Sequence, residues 1–506
     1  MTRSRVALTL LVVFSSLSLV AGCAGGPRYR RPPVPPARGY SPAPLPASTA
    51  TAPVSDGASQ SFDAARAISA QWWTLFRSPA LDELIQRAFS ANPSIAAAVA
   101  ALKGAQQNVY AQQGFFYPTV QAGYQIQRTK LAANVASSSA PGIQGNGENI
   151  APLGPAQPVT YSFHTAQVTV GFVPDVFGSN RRQVESLQAQ ADAARYELQA
   201  AYVTLASNVV AAALQEASIR AQLAAARSII RSNRRALAIV RNQLRLGYAA
   251  RLDVAQQQLA LAQARSVLPP LERQLAQTRD LIRMLAGSAP DNDVPETFTL
   301  ESLHLPRRLP LSLPSQLIEQ RPDVLAAAEQ VRSASAQVGV AVANRLPQFS
   351  ITAALGGQAT RITQMFWASG TFWDVIGSAS QPLFDAGTLQ HRQRAAEQAL
   401  AQAAAQYRST VLTAFQNVAD TLHALYSDAD ALRAAVAVEK AAKVALDVSR
   451  RQYQAGYASY LSVLTAQEAY QQAVILRVQA QAARLGDTAS LFQAMGGGWW
   501  HPSRIP

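Results

Sequence analysis

The pattern of apolar and polar positions changes its period along the chain. In two short stretches every second residue is apolar. These apolar positions are Val120, Ala122, Tyr124 and Ile126 in the first stretch and Phe349, Ile351 and Ala353 in the second. Such alternation is typical of β-strands with one apolar and one polar face. We expect a return strand at about residues 160–172 after the first stretch, and one that ends near Pro382 after the second.

Each predicted strand pair is followed by a long stretch that is rich in Ala, Gln and Leu and free of proline. These stretches predict two helices of nearly 70 residues, which end at Gly247 and Gly456. At 1.5 Å per residue, each helix is on the order of 100 Å long. Returning helices are predicted at about residues 252–286, with an interruption at Pro269-Pro270, and at about residues 461–495.

The two long helices end in the same sequence pattern. The matching residues are Gln243, Gly247, Tyr248, Ala249, Leu252 and Val254 in the first copy and Gln452, Gly456, Tyr457, Ala458, Leu461 and Val463 in the second. Glycine directly after a helical stretch ends the helix, because it enters the left-handed region without a Cβ clash. Each copy is therefore predicted to be the tip of a helical hairpin. The repeat predicts a chain of two similar halves.

These features divide the chain into six predicted segments. They are a signal peptide at residues 1–22, a Pro- and Ala-rich linker at 23–65, a first repeat at 66–290, a connector at 291–314, a second repeat at 315–496 and a C-terminal tail at 497–506. Because it is so rich in proline, we expect the linker to be extended and to bury no core. Ser137–Pro158 is predicted to be a flexible loop between two strands.

The N-terminus has the pattern of a secretory signal. A short cationic region precedes an apolar run from Val6 to Ala21, which as a helix spans only ~24 Å and is too short to cross a bilayer. The run ends in Val20-Ala21-Gly22-Cys23, which is similar to a bacterial lipobox. We therefore expect Cys23, the single cysteine, to carry a covalent lipid; the alternative is a free or buried thiol. The Ala24 that follows implies sorting to the outer membrane.

Composition and charge argue against several classes of function. The formal net charge is +14, but the basic residues are dispersed and no nucleic-acid recognition motif accompanies them. The five histidines are isolated, so no metal site is predicted, and no nucleophile elbow or glycine-rich phosphate loop is present. We predict no enzyme, no metal and no cofactor other than the lipid on Cys23.

The predicted strands indicate an oligomer. Four strands with one apolar face cannot close into a membrane barrel, and an open strand edge is not tolerated in lipid. Three copies of the chain would supply twelve strands, which is an even number that can close. We therefore expect a homotrimer whose strands contact outer-membrane lipid.

Several ordered motifs resemble those of one known family. These motifs are the lipobox cysteine, Trp72-Trp73 with Leu81 and Leu84, the Asn92-Pro93 and Arg321-Pro322 helix starts, the two Gly-Tyr-Ala tips and the ending Ala494–Trp499. Together they resemble the TolC-like outer-membrane factors, and among these the NodT/OprM-type efflux lipoproteins. The resemblance implies a mainly α-helical chain with a small β part, in which a trimeric twelve-stranded outer-membrane barrel continues as a helical periplasmic tunnel. It also implies a passive exit duct that receives drugs or toxic small molecules from an inner-membrane pump through a periplasmic adaptor protein.

The resemblance also assigns roles to the tips. The residues implied to contact the adaptor at the periplasmic tip are Gly247, Tyr248, Arg251, Gly456 and Tyr457. Those implied to line the aperture are Leu252, Asp253, Gln256, Leu461, Ser462 and Thr465. Asp253 can equally serve as a first-turn carboxylate that complements the helix dipole, and the glycines and tyrosines can equally serve only to shape the turns. A stripe of arginines toward the first tip is interpreted as a solvated face; the alternative is a role in adaptor docking or in attracting anions.

Two alternatives to the efflux duct stay open at this level. The first is an exit duct of a type I protein secretion system, which uses the same architecture. The second is a structural coiled-coil lipoprotein without a pore.

Overall fold

The structure is a computed structural model that describes residues 27–498, with gaps at residues 28, 35, 38, 45, 64–67 and 132–158. The predicted signal peptide, Cys23, the loop Ser137–Pro158 and most of the predicted tail lie outside the described residues. Within the described part the α-helices are α1 Pro79–Ala91, α2 Pro93–Gln113, α3 Ser179–Arg245, α4 Arg251–Ser266, α5 Leu268–Leu285, α6 Pro314–Gln320, α7 Pro322–Ala343, α8 Thr388–Gln454 and α9 Tyr460–Ala494. Among these helices, none combines the length and the apolar character that crossing a membrane requires.

Two small sheets accompany the helices. The strands are β1 Ser61–Asp63, β2 Thr119–Leu131, β3 Val159–Phe172, β4 Arg308–Pro310, β5 Gln348–Ala359 and β6 Thr371–Ser380. β2, β3, β5 and β6 form an antiparallel sheet in that order. β1 and β4 form a parallel pair. The strand pairs and the two long helices, each of 67 residues, confirm the predicted duplication.

Contacts divide the chain into two compact units. One contains Ala105–Ala189 and Arg332–Ala401, and with them the four-stranded sheet. The other contains Arg31–Gly104, Gln190–Val331 and the chain from Gln402 onward. Both sequence repeats contribute to both units, so a repeat is not a compact body by itself.

The two long helices begin in the same way. In α3 the backbone N–H groups of Asn180 and Arg181 donate to the carboxylate of Asp175, at 2.9 and 2.8 Å. In α8 the N–H groups of Gly387 and Leu389 donate to Asp385, at 2.9 and 2.8 Å. These bonds, above all the one from Leu389, lower the pKa of Asp385. The turns Asp175–Gly178 and Asp385–Gly387 thus satisfy helix donors that would otherwise lack partners.

The first returning helix is divided where the sequence predicts. α4 ends at Ser266 and α5 begins at Leu268, directly before Pro269-Pro270. Proline has no N–H to donate and is tolerated in a first helical turn. The predicted interruption is therefore confirmed, and it lies two residues before the prolines.

The motifs at the two ends of the chain contact each other within one compact unit. The Trp72 indole is fully buried and stacks on Phe492, with ring centroids 5.2 Å apart. Arg321, which precedes α7, donates to the carbonyl of Ala494 at 2.7 Å. Gly498 has φ +76°, and a Cβ there would lie 2.5 Å from the Ser69 carbonyl oxygen. The tryptophan, Arg-Pro and glycine motifs thus have packing roles.

The predicted linker is more ordered than its composition indicates, and the expectation that it buries no core is wrong for residues 49–63. Gln60 is fully buried and donates through Nε2 to the Pro306 carbonyl at 3.0 Å and to Thr488 Oγ1 at 3.1 Å. β1 pairs with β4 of the connector. Backbone pairing and buried polar side chains hold this segment, and such contacts leave little trace in a hydrophobic pattern.

Arg484 on α9 is the centre of this attachment. Its side chain is only 1% exposed, and Nη2 donates to Thr49 Oγ1 at 3.1 Å and to the Ala58 carbonyl at 2.7 Å. Burial lowers its pKa, while the charges of Asp428 and Asp56 raise it. A buried guanidinium thus links the N-terminal segment to a helix more than 420 residues later in the chain.

Asp428 on α8 forms a carboxyl pair with Asp487 on α9. Burial raises the pKa of Asp428 to about 7, and its hydrogen bond and like charge with Asp487 add to this effect. Arg484 acts in the opposite direction. Two carboxyl groups this close favour sharing one proton.

We predict that this pair makes the protein less stable as the pH rises. Between about pH 4 and pH 7 the folded state keeps a proton that the unfolded chain releases, so the free energy of unfolding falls through that window. Asp428→Asn should flatten this dependence, because the amide imitates the protonated carboxyl. Urea denaturation at several pH values measures it, with Asp430→Asn as the control, since Asp430 lies at the surface and pairs with Arg433. An unchanged slope in Asp428→Asn would contradict the prediction.

Candidate functional site

Both helical tips have the same backbone geometry. At the first tip the N–H of Gly247 donates to the Leu244 carbonyl, and the N–H of Tyr248 donates to the Gln243 carbonyl. At the second tip, Gly456 and Tyr457 form the same two bonds with Tyr453 and Gln452. This is the Schellman motif, in which the residue that follows the helix C-cap has a positive φ. Gly247 has φ +82° and Gly456 has φ +79°.

The tyrosines after these glycines point into solvent in the single chain. Tyr248 is 81% exposed and Tyr457 is 88% exposed. The N–H groups of both residues take part in the turn, whereas the phenol rings have no part in it. Arg251, also predicted at the tip, is exposed. The glycines therefore shape the turns, and each turn presents one aromatic ring.

The returning helices begin differently at the two tips. At α9 the Ser459 hydroxyl accepts a hydrogen bond from the Ser462 N–H. At α4 the preceding residue is Ala250, and Asp253 Oδ2 instead accepts from the Ala250 N–H at 2.9 Å. Asp253 is thus a first-turn carboxylate, which is one of the two roles predicted for it.

The other predicted aperture residues lie in the first turns of α4 and α9. Leu252, Leu461, Ser462 and Thr465 are exposed, and Gln256 and Asp253 are half-buried. Thr465 Oγ1 donates to the Leu461 carbonyl at 3.1 Å. The structure therefore places these side chains close to the tips on two helices, with most of them free of packing within one chain.

Beneath the tips a tyrosine pair connects the two hairpins. The rings of Tyr453 and Tyr460 lie 5.3 Å apart, and Tyr460 packs with Val240 and Leu464. Tyr453 donates to Gln243 Oε1 at 3.1 Å, and Tyr460 donates to Gln257 Oε1. Burial raises the pKa of Tyr460 to about 12, and the neighbouring Tyr453 and Asp253 add to this effect. The phenol therefore remains a donor at neutral pH.

Next to this pair lie three buried side-chain amides that are joined by hydrogen bonds, which we call the amide network. Its members are Asn233 on α3, Gln257 on α4 and Gln467 on α9, which are 1%, 0% and 4% exposed. Gln257 Nε2 and Gln467 Nε2 both donate to Asn233 Oδ1, at 2.9 and 2.8 Å. The Asn233 amide donates to the Ile229 carbonyl at 3.1 Å. One asparagine oxygen thus joins three helices of the two hairpins.

This network was not predicted from the sequence, although a signal for it is present there. The buried positions of α3 near the tip are Leu223, Ala226, Ile230, Asn233, Leu237 and Val240. Their spacing of three and four residues is that of a coiled-coil seam. A polar residue in such a seam commonly specifies register and partner. Asn233 is the polar residue in this one.

The arginine stripe leading to the first tip lies in solvent, as interpreted from the sequence. Arg227, Arg231, Arg234, Arg241 and Arg245 are all exposed. Arg227 lies 3.5 Å from Glu272, and both side chains are more than half exposed. Arg245 donates to Asn242.

The four-stranded sheet has one apolar face. On each strand, every second residue of one stretch is apolar and lies on this face; we call such a stretch the apolar window of the strand. The windows are Val120–Ile126 on β2, Ala166–Phe172 on β3, Phe349–Leu355 on β5 and Trp373–Ala379 on β6. The opposite face carries mainly Gln, Thr, Ser and Gly. Many large apolar side chains of the first face are exposed in the single chain, among them Ile126, Leu355 and Trp373. The alternation predicted for β2 and β5 is therefore confirmed.

The apolar windows are staggered relative to the strand register. From β2 to β3 and again from β3 to β5 the window moves by two residues toward the helices, and from β5 to β6 it does not move. Between neighbouring strands the window is thus displaced by roughly 1.3 residues on average, which is about 4.5 Å along the strand. Neighbouring strands lie ~4.8 Å apart. A level apolar band requires about this displacement when strands are tilted by a little over 40°. The windows thus form one continuous band.

No group of three or more potential metal-ligating side chains occurs in the part of the chain that the structure describes.

The family model described as outer membrane efflux protein matches the chain twice, at residues 84–288 and 313–497. Among curated relatives, the pyoverdine export outer membrane protein OpmQ of Pseudomonas putida is 28% identical over 458 residues, which cover 90% of this chain and 94% of OpmQ. The cation efflux system protein CusC of Escherichia coli K12 is 29% identical, over 67% of this chain and 74% of CusC. The probable outer membrane lipoprotein SilC of Salmonella typhimurium is 25% identical, over 97% and 98% of the two chains.

Solved structures have the same fold. The outer-membrane channel OprN superposes with a TM-score of 0.81 at 25% identity, covering 94% of this chain and all of that one. A crystal structure of CusC superposes with a TM-score of 0.78 at 24% identity, covering 93% and 99%.

Proposed function

Because the chain belongs to the outer membrane efflux protein family, we propose that it works as a homotrimer that binds a periplasmic adaptor protein and, through it, an inner-membrane pump. The chain is an outer-membrane channel component of an efflux system, as the sequence predicts. The predicted outer-membrane location is likewise confirmed, as is the mainly α-helical fold class with four sheet strands per chain and long helices. The observation that supports binding to these partners is the pair of matching helical tips.

The tips are suited to docking because each combines a rigid turn with an exposed aromatic ring. The Schellman bonds hold the backbone, so little conformational entropy remains to be lost when a partner binds. Tyrosine supplies a large contact area and a polar end, as in many protein interfaces. A trimer would present six such tips. We infer that Tyr248 and Tyr457 contact the adaptor and that Arg251 extends this surface.

Photocrosslinking in living cells tests this proposal. A photoreactive residue at Tyr248 or Tyr457 should capture the adaptor, whereas the same residue at Asp430, exposed in the middle of α8, should not. Capture at Asp430 but at neither tip, in a strain where the protein reaches the outer membrane, would contradict tip docking. The captured adaptor would also identify the pump.

The aperture is proposed to lie at the same end of the hairpins. If three copies converge there, Leu252, Leu461, Ser462, Thr465, Gln256 and Asp253 would line it. Asp253 is the one acidic residue in this set, so three copies would supply only three carboxylates and the ring would be only weakly acidic. We therefore expect Asp253→Asn to change cation preference little in planar-bilayer recordings. A large loss of cation preference would argue against this proposal.

The cargo is proposed to be a small molecule or ion that the pump selects. The names of the relatives include pyoverdine and cations, so one channel fold accompanies chemically unrelated cargo. We further propose that the chain has no catalytic activity of its own and that the pump supplies the energy. A covalent lipid on Cys23 is proposed as a second attachment to the membrane, and mass spectrometry of the mature N-terminal peptide tests it.

A further inference from the structure

The apolar face of the sheet ends in a group of basic residues. On β2 the apolar window stops at Ile126, and the next residues on the same face are Arg128 and Lys130. On β3 the window stops at Ala166, and the next residue on that face is His164, which the register places directly opposite Ile126. Arg128 and His164 are therefore diagonal neighbours, each the first residue beyond the band on its strand.

The group has the accessibility that binding requires. Arg128 and Lys130 are exposed, and within the described residues no ion pair involves either one. His164 is half-buried and held in place, because its Nδ1 lies 2.8 Å from the Tyr124 hydroxyl and the two rings stack. Two permanent charges and one titratable ring thus share one face of neighbouring strands.

The position of the group relative to the membrane follows from the topology. The helices α2, α3, α7 and α8 adjoin the sheet at the end that contains Thr119, Phe172, Gln348 and Ser380. Arg128, Lys130 and His164 lie toward the opposite end. In an outer-membrane channel whose helices lie in the periplasm, that opposite end faces the cell exterior. The group therefore lies where the apolar band gives way to the headgroups of the outer leaflet.

We propose that Arg128, Lys130 and His164 form a binding surface for the phosphate groups of the phosphorylated glycolipid of the outer leaflet, the lipopolysaccharide. The acyl chains would lie along the apolar window of β2 and β3, and the phosphates would meet the three basic side chains at its edge. Clusters of Lys and Arg beside a membrane-embedded surface are the usual means of recognising anionic headgroups. Arginine also binds phosphate oxygens in a bidentate manner.

The experiment compares two variants with equal charge changes. In Arg128→Gln/Lys130→Gln both changes lie in the group, and in Arg231→Gln/Arg234→Gln both lie on the exposed face of α3. Purified full-length protein in a neutral detergent, with a chelator to remove bridging cations, is titrated with fluorescently labelled rough-type lipopolysaccharide. We expect the strand variant to bind at least tenfold more weakly than the wild type, and the helix variant to bind within about twofold of it.

Two further probes identify the chemistry. The same glycolipid without its phosphates should bind the wild type as weakly as the intact glycolipid binds the strand variant. Phosphatidylglycerol should compete poorly, because it carries a single phosphate. Equal binding by the strand variant and the wild type, equal binding of the dephosphorylated glycolipid, or full competition by phosphatidylglycerol would each overturn the proposal. Trimer formation on a semi-native gel verifies that both variants fold.

Discussion

Arg484→Ala is expected to lower the free energy of unfolding by about 3 kcal/mol. The guanidinium is buried and donates to Thr49 Oγ1 and to the carbonyls of Ala50 and Ala58. Alanine would leave those acceptors without their donor, remove the positive charge near Asp428 and create a cavity. Chemical denaturation of the purified protein, followed by circular dichroism, measures the change. Limited proteolysis should also show faster cleavage within residues 49–63, because this segment loses its main attachment.

Arg433→Ala is the matched control for this variant. Arg433 pairs with Asp430 at 2.6 Å, and both side chains are about 60% exposed. Surface pairs of this kind contribute between zero and about 1 kcal/mol. Arg484→Lys keeps the charge but offers fewer hydrogen-bond donors. Its loss of unfolding free energy should therefore lie between the losses of the two alanine variants. If Arg484→Ala and Arg433→Ala were equally stable, Arg484 would have no special part in holding the N-terminal segment.

Asn233→Ala should cost about 2–3 kcal/mol, because it leaves Gln257 and Gln467 without their shared acceptor. Replacing all three members of the amide network by leucine should cost less than the sum of the three single replacements. An apolar seam leaves no buried donor unpaired, whereas each single replacement does. Denaturation midpoints of the single variants and the triple variant measure this non-additivity.

Gln479→Ala is the control, because it removes a side-chain amide from α9, the helix that carries Gln467. Gln479 is exposed on α9 and only weakly bonded to Gln222, at 3.4 Å, so its replacement should change stability by no more than about 0.5 kcal/mol. Strictly additive effects of the three leucine replacements would show that Asn233, Gln257 and Gln467 act independently. The amide network would then not join the hairpins as one unit.

The sequence predicts elements whose signal is local. The alternation along β2 and β5 follows from the two-residue period of a strand, and the ends of α3 and α8 follow from glycines that alone tolerate their left-handed turns. The matching tips revealed the duplication because the same turn requires the same residues. The interruption near Pro269 was predictable because proline lacks a donor.

Contacts between distant parts of the chain were not predictable in this way. Gln60 and Arg484 appear in the sequence as ordinary polar residues, yet both are buried because their partners arrive from segments hundreds of residues away. The expectation that residues 23–65 bury no core failed for the same reason. The pKa of Asp428 is raised by burial, and Asp487, which α9 brings beside it, raises it further.

The sequence by itself determined the helices, the strands, their repeat and the resemblance that led to an efflux channel, because periodicity and turn chemistry act over a few neighbouring residues. Only the tertiary structure decided which polar side chains are buried. It also showed that one asparagine joins three helices and that three basic residues meet at the edge of the apolar band. Burial and strand register depend on partners far away in the chain, and no local pattern specifies those partners.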